Sequence, residues 1–145
     1  MATRPWQHVL EPLSGYLVQG FFLSKDKNLF GEAFNFGPSS DQNRTVLEVL
    51  SDLAQFWKPP VNDFELYNVA NNVKFKEAGL LKLNCDKALQ ILSWLPTLKY
   101  HDTISMTGDW YNAYYNKSLN IEDLTSRQIQ QYCEIADVRK ISWMV

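Results

Sequence analysis

Near its start the chain carries three polar residues, Arg4, Gln7 and His8, set among apolar ones in the stretch RPWQHVLEPLSGYL, Arg4 to Leu17. A guanidinium beside a rigid proline at a strand start suits a diphosphate, which it can grip through paired hydrogen bonds. The plain alternative is a solvated arginine. His8, between Gln7 and Val9, reads as a hydrogen-bonded core histidine rather than a general base. Lys74, Lys76 and Glu77 form a second polar group in a connector that either lines a groove or is simply solvated. Trp110, Tyr111, Tyr114 and Tyr115 could stack a sugar or a base, but their helical spacing reads as core.

Much familiar chemistry is absent from the sequence. None of the tyrosines has a lysine four positions later, so the Tyr-x-x-x-Lys pair of many nicotinamide enzymes is missing. Gly31 and Gly37 have no glycine between them and the other glycines are scattered, so no dinucleotide fingerprint forms. Cys85 and Cys133 are far apart, with no Cys-x-x-Cys pair and no histidine cluster at metal-ligand spacing, and read as free buried thiols in a reducing compartment. No nucleophile–base pair or phosphate loop is evident.

These residues need elements to position them. Trp6 to Val9 reads as a short strand and Leu10 onward as a helix fraying at Ser24, with Leu10, Leu13, Leu17, Phe21 and Phe22 near helical spacing. EAFNFG, stopped by Gly37-Pro38, has the pattern of a buried strand. Thr45 and Glu48 form a capping box that opens a helix ended by Pro59-Pro60. FELYNV and GLLKLN read as strands flanking ANNVKFKEA, and DKALQILSW as a short helix ended at Pro96. His101 to Asn116 reads as a longer helix. The last helix is expected to open with a capping box at Thr125 and Gln128 and to carry Ile129, Tyr132, Cys133 and Ala136 on one face.

The expected class is mixed α/β, mainly helical with a few short strands, in one domain spanning residues 1–145. Hydrophobic content of 46% against 21% charged excludes disorder. A net charge of −2 with mixed signs offers no field for nucleic acid or an anionic membrane, so any anion site must be local. No apolar run fits a signal peptide or a membrane helix, and a cytoplasmic location is expected.

The opening stretch resembles closely a segment of the bacterial CDP-glucose 4,6-dehydratases, extended short-chain dehydrogenase/reductases that act on nucleotide sugars. AFNFGPS (Ala33 to Ser39), KEAGLLKLNCDKALQILSWLP (Lys76 to Pro96), WYNAYY (Trp110 to Tyr115) and LTSRQIQQY (Leu124 to Tyr132) follow in that family's order and at about its spacing. The resemblance implies the C-terminal substrate-binding subdomain, the Rossmann cofactor half and the catalytic Tyr and Lys lying before this region. It implies a substrate-binding set of Arg4, Gln7, His8, Lys76 and Glu77, with Arg4 against the nucleotide diphosphate and Lys76-Glu77 near the nucleotide end. No catalytic residue, metal or cofactor is expected on this chain. In the parent family NAD oxidises the sugar at C4, water is eliminated across C5 and C6, and the hydride returns to C6.

Three departures from the family pattern accompany the match: Lys76 stands for the usual histidine, Asn84 for an aspartate, and Ser93 for the glycine of LGW. In the family AFNFG joins the large sheet, so this chain is expected to self-associate in its absence. The implied partners are a CDP-glucose-like nucleotide sugar and the cofactor half. A non-catalytic interaction module or a degenerate remnant of such an enzyme is the rival.

Overall fold

The computed structural model describes residues 3–57, 67–68, 79 and 81–144. They form β1 (Thr3–Arg4), α1 (Leu10–Lys25), β2 (Arg44–Thr45), α2 (Val46–Leu53), α3 (Asp86–Leu92), α4 (Tyr100–Asn116) and α5 (Ile121–Val138). Short 3-10 turns occur at Lys27–Leu29, Ser40–Gln42 and Ser142–Met144. The architecture is mainly helical with one small sheet: β1 and β2 pair antiparallel, with Thr3 opposite Thr45 and Arg4 opposite Arg44. No helix among the described residues is long and apolar enough to cross a membrane.

Local chemistry explains where the helices begin. The Thr45 amide donates to Glu48 Oε2 at 2.7 Å and the Glu48 amide to Thr45 Oγ1 at 3.2 Å, closing the expected capping box before α2. Asp102 accepts from the Lys99 amide at 2.8 Å to open α4, one residue earlier than His101. The start of α5 differs from expectation, because Asn120 caps it by accepting from the Glu122 and Asp123 amides. Thr125 is therefore inside the helix, its hydroxyl turned back to Ile121 O at 2.7 Å. α3 stops at Ser93, before Pro96, where the chain turns left-handed at φ 52° and the Trp94 amide donates to Ala88 O.

Three expected strands do not form among the described residues. After β1 the chain from 5 to 8 is irregular: Pro5 has no amide hydrogen to give a ladder, and the segment is tied down by side chains instead, Trp6 Nε1 donating to Arg44 O and Gln7 Nε2 to Phe36 O. AFNFG is also irregular; besides the bond to Phe36 O, Lys87 donates to Ala33 O and Asn35 Nδ2 to Asn84 O. Of GLLKLN, residues 81–84 run without strand pairing. FELYNV apart from Tyr67 and Asn68, the connector at 70–78 and Pro59-Pro60 lie outside the described residues.

The core has two parts. Leu29, Phe36, Ala88, Leu92 and Trp94 form one, and Leu98, Met106 and Tyr132 the other, with Trp143 packed against both. Gly15 permits the first: a Cβ there would sit 2.4 Å from the Phe36 ring. Of the face expected on α5, Tyr132 and Ala136 are buried with Gln128, while Ile129 and Cys133 are exposed.

Candidate functional site

The opening motif is a junction. Trp6 fixes β1 to β2, Gln7 reaches the 33–37 segment, and His8 Nδ1 accepts from the Leu10 amide at 3.3 Å just where α1 begins. His8 is thus the buried, hydrogen-bonded histidine expected of it, 7% exposed. Burial holds its pKa below the ordinary histidine value, so the ring is neutral near pH 7. With Nδ1 accepting, the proton of the neutral imidazole resides on Nε2.

Glu11, further along the motif, was not singled out from the sequence, yet it ties α1 to the 97–98 segment and to α5. It is 1% exposed. Its carboxylate accepts from the Thr97 amide at 3.0 Å, from the Leu98 amide at 2.5 Å and from Tyr132 Oη at 3.0 Å. Ser14 Oγ lies 2.9 Å from Tyr132 Oη, accepts from Trp94 Nε1 and donates to Glu11 O. Arg139 closes the network by donating to Thr97 O while pairing with Asp102 at 3.0 Å. Desolvation pushes the Glu11 carboxyl above the usual range, opposed by its amide donors, the Tyr132 hydroxyl and the Arg139 charge. One detectable signal was Glu11's position as the only acid in the sixteen residues of α1.

Beside this junction lies a cavity of about 400 Å³, walled by Gln7, His8, Val9 and Leu10, by Thr107, Trp110 and Tyr111 of α4, and by Thr125, Gln128 and Ile129 of α5. That volume is in the range of small-molecule sites, roughly 300–1,000 Å³. Trp110 is set by donating from Nε1 to Thr125 Oγ1 at 2.9 Å, and Gln128 by donating to Met106 O at 2.7 Å. Gln7 Oε1 is buried without a hydrogen-bond partner. An acceptor of that kind costs about 1–3 kcal/mol unless something donates to it.

The aromatic stripe of α4 is not core. Tyr111, Tyr114 and Tyr115 are 40%, 53% and 50% exposed. Trp57 stacks on Tyr111 and Tyr115 with ring centres 5.2 and 5.5 Å away, and Trp110 stacks on Tyr114 at 5.3 Å. Helical spacing marked the stripe correctly as one face, but that face packs ring on ring at the surface. Tyr111 and Trp110 join it to the cavity.

The structure thus brings Gln7 and His8 to one cavity and places Arg4 on β1, its Nη1 donating to Thr3 O. Lys76 and Glu77, with Lys74, lie outside the described residues. Asn84, the departure from aspartate, accepts from the Asp86 amide at 2.9 Å and so leads into α3. Burial raises the Cys85 thiol pKa. Among the described residues no three or more His, Cys, Asp and Glu side chains group as a metal site.

No family model matches this chain. By sequence it is related to a sugar-nucleotide dehydratase. That relative is the CDP-glucose 4,6-dehydratase of Salmonella typhimurium, 33% identical over 134 residues, which make up 90% of this chain and 35% of the relative. The resemblance carried by the opening motif therefore extends along nearly the whole sequence, and the chain spans about a third of the length of the curated relative it matches.

Proposed function

We propose that this chain is the C-terminal, nucleotide-sugar-binding part of a CDP-glucose 4,6-dehydratase-like enzyme, binding and positioning the ligand without transferring hydride itself. The observation that carries this reading is the 33% identity along 90% of the chain. Arg4 meets the diphosphate, and the resemblance assigns Lys76 and Glu77 to contacts with the nucleotide. Gln7 Oε1 and the neutral His8 ring supply an acceptor and an Nε2–H donor at the adjoining cavity.

In this reading NAD is held elsewhere than on this chain. The described residues do not fit a dinucleotide: the two strands pair antiparallel, and no strand-to-helix turn carries the glycine triplet that a pyrophosphate requires. The same reading includes self-association. Its support moves from a strand edge to α1, which leaves Leu13, Leu17 and Phe21 exposed four residues apart; light scattering showing a monomer at high concentration refutes it. The exposed aromatic cluster of α4 favours a second reading, a non-catalytic interaction module.

Calorimetric titration with CDP-glucose separates the two, with CDP, UDP-glucose and Arg4→Ala as controls. Binding that requires both cytidine and Arg4 supports the substrate-binding part. Absence of binding to every nucleotide overturns it and leaves the interaction module.

A further inference from the structure

The outward face of α1 carries a pattern that its own fold does not explain. Leu13, Leu17, Gly20 and Ser24 follow one another at intervals of four, three and four residues, the spacing of a seam between two packed helices. All four are exposed. Gly20 stands well inside the helix, where glycine is among the poorest formers. Gly15 on the same helix is required by the Phe36 ring, but a Cβ at Gly20 would meet nothing within 4 Å among the described residues. A glycine in such a place serves the close approach of a backbone from outside. Ser24 Oγ donates to Phe21 O at 2.7 Å, so its hydroxyl is already satisfied when that face is covered.

We infer that α1 packs antiparallel against α1 of a second copy, about a two-fold axis between Val18 and Gln19. This gives the self-association proposed above its surface, and rests on that reading. A second copy fits because the seam is complementary to itself in that direction. The axis sets Leu17 against Gly20 of the second copy and Leu13 against its Ser24, so each large residue meets a small one. Tyr16 and Phe21, on the flanks, meet each other in the same way. Lys25 falls opposite Pro12, so the axis opposes no like charges. A parallel pairing would instead set leucine on leucine and leave a void between the glycines. Leu13, Tyr16, Leu17 and Phe21 are 46%, 61%, 77% and 55% exposed. Covering them in both copies buries on the order of 1,000 Å² in total, the lower limit of a specific interface. The dimer is therefore weak, dissociating in the micromolar range.

The test is sedimentation velocity from about 10 μM to about 1 mM, a range that spans such a dissociation constant, on the wild-type chain, Gly20→Leu and Leu17→Glu. Circular dichroism checks the folding of each. Gly20→Leu fills the space that Leu17 of the second copy needs and removes no contact within one copy. The expected result is a concentration-dependent dimer in the wild type, with the dissociation constant raised at least about 10-fold in each variant. Gly20→Leu should meanwhile melt at the same or a higher temperature when dilute, since leucine is the better helix former. A dimer undiminished in both variants overturns the seam and leaves self-association on another surface, with the exposed rings of α4 next in line. Weakening by Leu17→Glu alone overturns the close antiparallel register. A wild type that stays monomeric at the highest concentration overturns both the seam and self-association. Nucleotide-sugar binding is read separately by the titration with CDP-glucose. Should Leu17→Glu fail to fold, Gly20→Leu decides.

Discussion

Replacing Glu11 with leucine should nearly unfold the chain. The side chain is 1% exposed and satisfies the Thr97 and Leu98 amides and the Tyr132 hydroxyl. Leucine fills similar space but leaves those three donors without an acceptor, at about 1–3 kcal/mol each. The loss is therefore roughly 3–6 kcal/mol after partial relaxation, against a total stability of about 5–15 kcal/mol for an ordinary domain. Urea unfolding followed by tryptophan fluorescence measures it directly, because Trp94 belongs to the network and Trp143 stacks on Tyr132. The pH dependence provides an independent check. The folded Glu11 carboxyl has a pKa raised above its ordinary 4.5, so the native state binds the proton more tightly than the unfolded chain. Its contribution is fully present below the unfolded value and is lost as pH rises through the folded one. Glu11→Gln should abolish that fall while retaining one acceptor for the amides. A Glu11→Leu midpoint equal to that of the wild type would refute the reasoning.

Three smaller perturbations test the frame around the site. Ser93→Gly should stabilise by about 0.5–1 kcal/mol, since Ser93 adopts φ 52° where glycine is unstrained; thermal melting checks this, and an unchanged or lower midpoint counts against it. Gly108→Ala should destabilise by roughly 1–2 kcal/mol despite alanine's better helix propensity, because its Cβ would meet Phe56 Cβ at 2.5 Å; the same melts read the effect. Asn120→Ala should cost about 0.5–2 kcal/mol by removing the cap of α5, and should lower the helical circular dichroism signal at the midpoint temperature of the wild type.

Features that depend on a few neighbouring residues were legible in the sequence. The Thr45–Glu48 box and the extent of α4 are examples, since each rests on contacts three or four residues apart. Where a local pattern competed with a distant partner, expectation failed. Trp6 to Val9 has strand-like residues, yet the Trp6 and Gln7 side chains donate to Arg44 O and Phe36 O across the fold. Thr125 and Gln128 have the spacing of a capping box, but Asn120 starts the helix earlier and Gln128 turns inward to Met106 O.

The site was legible only in part for the same reason. Arg4, Gln7 and His8 stood out as polar residues in an apolar run, and two of them do border one cavity. The importance of Glu11 was hidden because its partners Thr97, Leu98 and Tyr132 come from distant segments. Spacing marked the aromatic face of α4, but hydrophobicity could not distinguish a buried face from rings stacked at the surface with Trp57.

The central claim, that a nucleotide sugar binds at the opening segment, is tested most directly by following the tryptophan indole N–H resonances while CDP-glucose is added. Trp6, two residues beyond Arg4 in the opening segment, donates to Arg44 O, whereas Trp143 donates to Leu95 O on another part of the chain. The expected result is a saturable shift of the Trp6 indole signal, lost in Arg4→Ala, with the Trp143 signal unmoved. A Trp6 signal that stays in place while others shift, or a spectrum indifferent to CDP-glucose, would contradict it.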